Sequence, residues 1–226
     1  MLANPGRKDM LLDIEREVAY TRREIGRDAF APRVMAAMAA VPREQFVPEA
    51  GRHLAFANAP LAIGHGQTIS QPYIVALMTD LLAPRPQDSI LEIGTGSGYQ
   101  AAVLAQLVRE VHSVEIIAAL ATATGERLQR LGYANVSVRH ADGFHGWPEH
   151  APYDGIVVTA AALQVPPPLV EQLKPGARLV IPVGQPGGVQ ELQVVEKHAD
   201  GAVATRTILL VAFVPLTRAP TGSDHG

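Results

Sequence analysis

The sequence predicts an α/β fold built on a mostly parallel, seven-stranded sheet with an antiparallel edge. From residue 88 onward, β-branched segments alternate with segments of helical period, which is the pattern of successive βαβ units. Glycines 94, 96 and 98 directly follow the first of these strands. The Asp200-Gly201 pair near the end predicts a hairpin between the last two strands. Helices are expected on both faces of the sheet.

The elements of the core are predicted in order along the chain. Strands are expected at residues 88–93, 111–115, 135–139, 156–158, 178–183, 190–197 and 205–214, with a turn at Asp154-Gly155 before the fourth. Helices are expected from residue 101, over 117–131 and over 167–173. Ahead of the core, helical period covers residues 11–25, 32–40 and 72–82.

These elements predict one structural domain in three parts. Residues 1–80 form an N-terminal helical extension with a loop for substrate and cofactor, and residues 81–218 form the core. Residues 219–226 form a tail, and this tail and residues 1–8 are rich in polar and turn-forming residues, so both are predicted to be disordered.

Composition excludes several classes of protein. A chain of 226 residues with 47% hydrophobic residues has ample material for a core, and a net charge of -3 argues against a nucleic-acid partner. The absence of cysteine excludes disulfides and thiolate chemistry. Neither a signal peptide nor a membrane-spanning segment is recognisable, so a cytoplasmic protein with no membrane partner is expected. His140, His145 and His150 recur every five residues, which places no two on one helix face, so no metal is expected.

The segment from Leu91 to Tyr99 is typical of a nucleoside site. Glycine tolerates positive φ and has no Cβ, so the three alternating glycines bring bare backbone close to a ligand. The dinucleotide fingerprint G-x-G-x-x-G needs a third glycine where Tyr99 stands. With Glu92 ahead of it, the pattern is E-x-G-x-G-x-G, which resembles motif I of class I S-adenosylmethionine (SAM) methyltransferases, with their Rossmann-like fold. Glu115 closes the next strand about 20 residues on, where the ribose hydroxyls need a carboxylate.

Further segments resemble the protein-L-isoaspartate (D-aspartate) O-methyltransferase family along almost the whole chain. The segment at residues 66–73, Gly-Gln-Thr-Ile-Ser-Gln-Pro-Tyr, is the most specific of them. The other matching segments lie at residues 41–48, 91–100, 113–115, 142–143, 151–154, 158–161, 182–184 and 213–216.

The resemblance implies a role for each matching site residue. It makes Ser70 the catalytic serine, where the substrate carboxylate meets the cofactor methyl group. The residues implied to bind SAM are Gln67, Thr68, Ile69, Ser70, Glu92, Gly94, Gly96, Gly98, Glu115, Asp142 and Gly143, the last two beside the adenine. The residues implied to hold the substrate are Ser70, Val214, Pro215 and Leu216.

The implied reaction is methyl transfer from SAM to the α-carboxylate of L-isoaspartyl residues in age-damaged proteins and peptides, which begins their repair. A carboxylate with a pKa of about 4 is already ionised at neutral pH, so the attack needs no general base. Ser70 is therefore expected to orient the carboxylate by a hydrogen bond, and no Gly-x-Ser-x-Gly elbow surrounds it. The expected partners are isoaspartyl proteins and peptides, and a monomer is expected.

The chain departs from the family pattern at three places. Phe56-Ala57-Asn58 stands where the family usually has a tyrosine followed two places later by an acidic residue, and Ala141 and Ala177 replace glycines. The first departure keeps open a related carboxyl methyltransferase acting on a different peptide carboxylate. More distant alternatives are a nucleotide-cofactor-binding Rossmann protein without turnover and a dinucleotide-dependent oxidoreductase. His65 is expected at the rim of the site, and Trp147 as a packed aromatic near Asp142.

Overall fold

The computed structural model describes residues 5–219, without the side chain of Pro5, and its centre is a seven-stranded sheet. The strands of the described part are β1 (Leu61–Gly64), β2 (Gln67–Ile69), β3 (Ser89–Ile93), β4 (Glu110–Glu115), β5 (Val136–His140), β6 (Tyr153–Val158), β7 (Leu173–Val183), β8 (Gln190–Lys197) and β9 (Val203–Val211). The sheet has the order β5-β4-β3-β6-β7-β8-β9, and β1 and β2 form a separate hairpin. Strands β3 to β7 are parallel, and β8 and β9 are antiparallel. The predicted fold class is confirmed.

Helices cover both faces of the sheet. The α-helices of the described residues are α1 (Pro5–Ile25), α2 (Pro32–Ala40), α3 (Pro72–Leu82), α4 (Tyr99–Ala105), α5 (Ala118–Arg130) and α6 (Pro167–Glu171). Short 3-10 turns lie at Arg43–Gln45, Glu49–Leu54, Gly143–His145 and Pro148–His150. One core cluster joins α1 to α4 with one face of the sheet, and a second joins α6 and Trp147 with the other face.

Strand periodicity explains why there are two clusters. Successive side chains of a strand point to opposite faces, so neighbours along β3 enter different cores. Ile90 packs in the first cluster, whereas Leu91 and Ile93 pack in the second. All five residues of β3 are buried, as expected for a central parallel strand. Helix α3 crosses the predicted boundary at residue 80, and its side chains share the first cluster with β3 and α4.

The structure corrects three of the predicted elements. Asp154 and Gly155 lie inside β6, where a Cβ on Gly155 would stand 2.9 Å from the Leu82 side chain, so this glycine serves close packing. Strand β7 begins at Leu173, five residues before the predicted start at residue 178. Residues 5–8, predicted to be disordered, form the start of α1. Residues 1–4 and 220–226 of the predicted flanks lie outside the described residues.

The last strand ends at Val211, earlier than predicted, because the chain then turns to another partner. Ala161, just after β6, donates its amide to the Val214 carbonyl at 2.8 Å and accepts the Leu216 amide at 2.8 Å. This parallel bridge brings residues 214–216 to the carboxyl end of β6.

The β1–β2 hairpin is an element that the periodicity did not predict. Its turn is Gly64-His65-Gly66, and all three residues have positive φ, at 91°, 54° and 71°. Two glycines make this turn accessible at little steric cost. His65 is exposed at its tip, and its expected position at the rim of the site stays a prediction.

Within residues 5–219, no helix has the length and apolar character needed to cross a membrane. In the same part of the chain, no group of three or more histidine or acidic side chains is placed to hold a metal ion.

Candidate active site

A cavity of about 730 Å³, measured with its open mouth, lies at the carboxyl ends of β3, β4 and β6. In α/β sheets, ligands bind at this edge, where the strand order reverses, and β3 stands at that reversal between β4 and β6. The cavity wall includes Gln67, Thr68, Ile69, Ser70, Gly94, Thr95, Gly96, Glu115, Gly143, Thr159, Val214, Pro215 and Leu216.

The glycine turn is the floor of this cavity and leaves no room for a side chain at Gly94. Gly94 has a φ of +94°, and a Cβ there would stand 2.5 Å from the Thr159 hydroxyl. That hydroxyl lies 2.6 Å from the Gly94 carbonyl and 3.1 Å from the Ile93 carbonyl. Gly96 has a φ of +51°, in the left-handed region that favours glycine, although a Cβ there would make only ordinary contacts. The turn therefore excludes a side chain at Gly94, favours glycine at Gly96, and is anchored by Thr159.

Helix α5 holds the turn from the side away from the cavity. Thr124 donates its hydroxyl to the Gly96 carbonyl at 2.7 Å, and Arg127 donates to the Ser97 carbonyl at 2.9 Å. Gly98 does not line the cavity, and a Cβ there would stand 2.6 Å from the Thr124 side chain. Gly98 thus allows α5 to approach the turn.

Glu115 presents a carboxylate beside the turn. It closes β4, is 5% exposed, and accepts the Gly96 amide at 2.8 Å and the Ile117 amide at 2.9 Å, one on each oxygen. A carboxylate oxygen can accept more than one hydrogen bond, so capacity remains for a ligand's hydroxyl groups. The glycine turn lets a ligand approach the backbone closely, and the two oxygens of Glu115 can accept hydrogen bonds from two hydroxyl groups. Both features fit the adenosine part of SAM.

Glu92 stands behind the turn and does not reach the cavity. It is completely buried on β3, and the Ser113 hydroxyl makes a very short hydrogen bond to it. Ser113 in turn lies 2.6 Å from the hydroxyl of Thr95, which lines the cavity. Burial raises the pKa of Glu92 to about 8, and the Glu115 carboxylate adds to this rise. Glu92 is therefore connected to the cavity through the Ser113 and Thr95 hydroxyls and through its electrostatic interaction with Glu115.

Replacing Glu92 by glutamine should stabilise the protein at alkaline pH. Because the folded pKa is raised, the Glu92 contribution to stability is full below about pH 4.5 and is lost as pH rises through about 8. At pH 8.5, Glu92→Gln should gain about 4 kcal/mol, or roughly 8–16 °C in Tm, and at pH 4 the two proteins should match. Thermal unfolding across this range measures it, with exposed Glu126→Gln as the control. Equal pH dependence in wild type and Glu92→Gln would contradict the prediction.

Asp142 lies at the edge of the cavity and is engaged by the chain itself. One carboxylate oxygen accepts the Phe144 amide at 3.0 Å, and the other accepts Arg218 Nε at 3.0 Å and the Ala219 amide at 3.1 Å. Although burial favours the neutral acid, these hydrogen bonds hold the pKa of Asp142 below its usual value. Its neighbour Gly143 does line the cavity.

Ser70 lies between β2 and α3, and its side chain is not used by the helix. The N-cap of α3 is Gln71, and no side chain caps the helix by a hydrogen bond. The Ser70 hydroxyl makes no hydrogen bond within residues 5–219, whereas the Ser70 carbonyl accepts Arg43 Nη2 at 2.8 Å. The backbone is held and the hydroxyl is free to meet a ligand.

A second groove opens on the other side of Ser70. Thr68, Ser70, Thr159 and Val214 line both the groove and the cavity, so the two spaces meet at these residues. The groove runs between α1 and the end of β9, and its other lining residues include Glu17, Thr21, Glu24, Tyr73, Val189 and residues 209–213. The bridge to Ala161 leaves the Val214 amide and the Pro215 carbonyl without a partner in the described part of the chain.

The departure at position 58 is compensated by a neighbour. Asn58 donates to the Glu17 carboxylate at 2.5 Å and accepts the Tyr73 amide at 3.0 Å. The same Glu17 oxygen accepts Gln71 Nε2 at 2.9 Å. The rim therefore keeps a carboxylate, supplied by α1 where the family pattern has an acidic residue at position 58.

The other departures are absorbed locally. Phe56 packs against the core, with the Arg7 guanidinium 5.9 Å from its ring centre. Among the described non-glycine residues, only His65 and Ala83 have positive φ, so alanine fits at positions 141 and 177. Trp147 packs at right angles to His112, and its amide bonds Gln172, which in turn bonds the His145 carbonyl after the Asp142 turn.

Several cavity residues were not predicted. Thr95, Ser97, Gln100, Ile116, Ile117, Thr159, Ala160 and Thr217 all line it. Ile116 and Ile117 directly follow Glu115, and Thr159 and Ala160 directly follow β6. Their position at the carboxyl ends of the parallel strands was the available signal.

The strand order, the glycine turn and the carboxylate that closes β4 define a nucleoside-cofactor enzyme of the SAM-dependent methyltransferase class. The profile of the protein-L-isoaspartate(D-aspartate) O-methyltransferase family matches residues 18–221. The chain belongs to this family.

Relatives of the same description support this assignment. The chain is 61% identical to protein-L-isoaspartate O-methyltransferase 2 of Syntrophobacter fumaroxidans (93% of this chain, 85% of the relative). It is 60% identical to the protein of the same name from a Polaromonas species (92% and 99%).

Two solved structures are similar in fold. One is a protein-L-isoaspartate O-methyltransferase with a TM-score of 0.79 and 25% identity, which matches 92% of this chain and 65% of its own. The other is a Plasmodium falciparum protein of the same description in complex with S-adenosyl-L-homocysteine, with a TM-score of 0.77 and 24% identity (96% and 100%).

Proposed function

We propose that this chain transfers the methyl group of SAM to the α-carboxylate of L-isoaspartyl residues in damaged proteins and peptides. The observation that carries the proposal is the position of Ser70. It stands where the cavity of the glycine turn meets the groove between α1 and β9. A cofactor on one side and a peptide on the other would meet at this serine.

The residues of the cavity are suited to hold the nucleoside and to orient the acceptor. When bound, SAM supplies a sulfonium methyl group, and its transfer breaks the sulfur–carbon bond and forms a methyl ester on the acceptor oxygen. The turn at Gly94 and Gly96 would admit the nucleoside, and Glu115, which already holds the Gly96 amide, would accept its ribose hydroxyls. Asp142 and Gly143 would lie toward the adenine.

On the acceptor side, Ser70 donates a hydrogen bond that orients the carboxylate. The carboxylate is ionised at neutral pH, so no side chain has to remove a proton. Orientation and exclusion of water are therefore the main tasks of the site. The free Val214 amide and Pro215 carbonyl can hold the peptide backbone next to the acceptor.

Localisation, oligomeric state and the absence of a nucleic-acid partner are proposed from composition. With a net charge of -3 and no cysteine, we propose a cytoplasmic monomer that binds no nucleic acid.

The test is methyl transfer to two peptides that differ only in an isoaspartyl against an aspartyl linkage. We expect labelling from radioactive SAM on the isoaspartyl peptide, at least about 100-fold above the aspartyl peptide, since a misplaced carboxylate loses the aligned geometry. Equal labelling of both would favour a methyltransferase for a different carboxylate. If neither peptide were labelled although S-adenosylhomocysteine still bound, the substrate assignment would be wrong and the assignment of the cofactor site would remain.

A further inference from the structure

Arg43 is a buried cation with no carboxylate beside it. Its exposure is 0%, and within residues 5–219 it forms no ion pair. Burying an unpaired guanidinium is costly, and burial accordingly lowers the pKa of Arg43. The contacts of the guanidinium show what the charge does here.

The guanidinium is directed at backbone carbonyls from two separate loops. Arg43 Nε donates to the Ala55 carbonyl at 2.8 Å, and Nη2 donates to the Ser70 carbonyl at 2.8 Å. The carbon of the guanidinium also lies 4.6 Å from the ring centre of Tyr99, which is fully buried. The planar guanidinium of arginine can donate to two carbonyls in different directions at once, and the ammonium group of lysine cannot reproduce this geometry.

These three contacts join the parts that frame the active site. Ala55 begins the loop that leads to Asn58 at the rim of the groove, and Ser70 stands between groove and cavity. Tyr99 is the first residue of α4, directly after the glycine turn, and lines the cavity. A single side chain thus links the acceptor side of the site to the cofactor side.

We propose that Arg43 is a positioning residue for methyl transfer, which fixes the Ser70 backbone at a set distance from the cofactor turn. It acts through Ser70 and contacts neither substrate nor cofactor. This inference rests on the proposed function for the role of Ser70, since the hydroxyl can orient an acceptor only when its backbone is held.

The experiment compares Arg43→Lys and Arg43→Met with wild type. We expect kcat on the isoaspartyl peptide to fall about 10- to 100-fold, because small misplacements of reacting groups have effects of this size. The affinity for S-adenosylhomocysteine should fall by a smaller factor than kcat, because Gly94, Gly96 and Glu115 are untouched, although residues 67–70 also line the cavity. Arg33→Lys is the control for the loss of two arginine–carbonyl hydrogen bonds: Arg33 is exposed and donates to the carbonyls of Pro84 and Leu107, away from the site. It should leave kcat unchanged.

A double-mutant cycle separates positioning from general support of the fold. In a Ser70→Ala background, Arg43→Lys should lower kcat by less than about twofold, because the hydroxyl that it positions is gone. Full additivity of the two effects would overturn the proposal. An equal loss of kcat in Arg33→Lys would overturn it as well.

Hydrogen exchange provides a readout that does not depend on turnover. Arg43→Lys should accelerate amide exchange in residues 55–60 and 67–73 and leave β6 and β7 unchanged. Unchanged exchange in the first two segments would contradict the proposal. If wild type failed to methylate the isoaspartyl peptide, the proposed function would fall alone, and exchange would still show whether Arg43 orders Ser70.

Discussion

Replacing Gly94 by alanine should lower the affinity for S-adenosylhomocysteine by at least about 100-fold, or roughly 2.7 kcal/mol. The new Cβ would stand 2.5 Å from the Thr159 hydroxyl, at a φ of +94°. Thr159 cannot retreat without breaking its contacts to the Ile93 and Gly94 carbonyls. The turn must therefore open, and titration calorimetry of purified protein measures the loss.

Gly132→Ala is the matched control for this substitution. Gly132 follows α5 with a φ of +84°, close to that of Gly94, but no atom lies within 4 Å of its added Cβ. It should lose about 1 kcal/mol of stability through backbone strain and keep its affinity for S-adenosylhomocysteine. If Gly94→Ala bound as tightly as Gly132→Ala, the turn would not be the cofactor cradle.

Ser70→Ala should lower kcat for the isoaspartyl peptide by about 10- to 100-fold, the worth of one hydrogen bond to a charged group. The hydroxyl has no hydrogen-bond partner in the described part of the chain, so removing it leaves no buried group unsatisfied. Stability and affinity for S-adenosylhomocysteine should therefore stay close to wild type. Steady-state kinetics with saturating SAM gives kcat, and thermal unfolding checks the fold.

Ser137→Ala provides the comparison for Ser70→Ala, because Ser137 is exposed on β5, at the far edge of the sheet. It should retain wild-type kcat. Full activity in Ser70→Ala would remove the orienting role of this hydroxyl. A large loss of cofactor affinity would show that the side chain acts mainly in the cofactor contact that the resemblance implies for it.

The local parts of the fold and site were predictable from the sequence. The strand, the glycine turn and the helix that follow one another from residue 89 to residue 105 are encoded by neighbouring residues, and the structure shows all three. Glu115 was predictable for the same reason, since it closes a strand of clear β-branched pattern. The hairpin at Asp200-Gly201 also forms, with the Gly201 amide bonded to the His198 carbonyl at 3.0 Å.

The parts that depend on distant contacts were not predictable in this way. Asp154-Gly155 is a typical turn pair, yet Asp154 accepts the Ser89 amide and the Gly155 site is filled by Leu82, so packing overrides the local preference. Strands β1 and β2, of four and three residues, are too short to show a period. Thr159 reaches the glycine turn only through the β3–β6 pairing.

The segment from Val214 to Ala219 is fastened at two points, to Ala161 at the end of β6 and to Asp142 beside Gly143. It supplies one wall of the cavity and lies among the last residues that the structure describes. During synthesis, the glycine turn leaves the ribosome long before this wall exists. A nascent chain therefore contains the glycine turn well before its cofactor cavity is enclosed. Tight cofactor binding should arise late in synthesis, once residues 214–219 have docked.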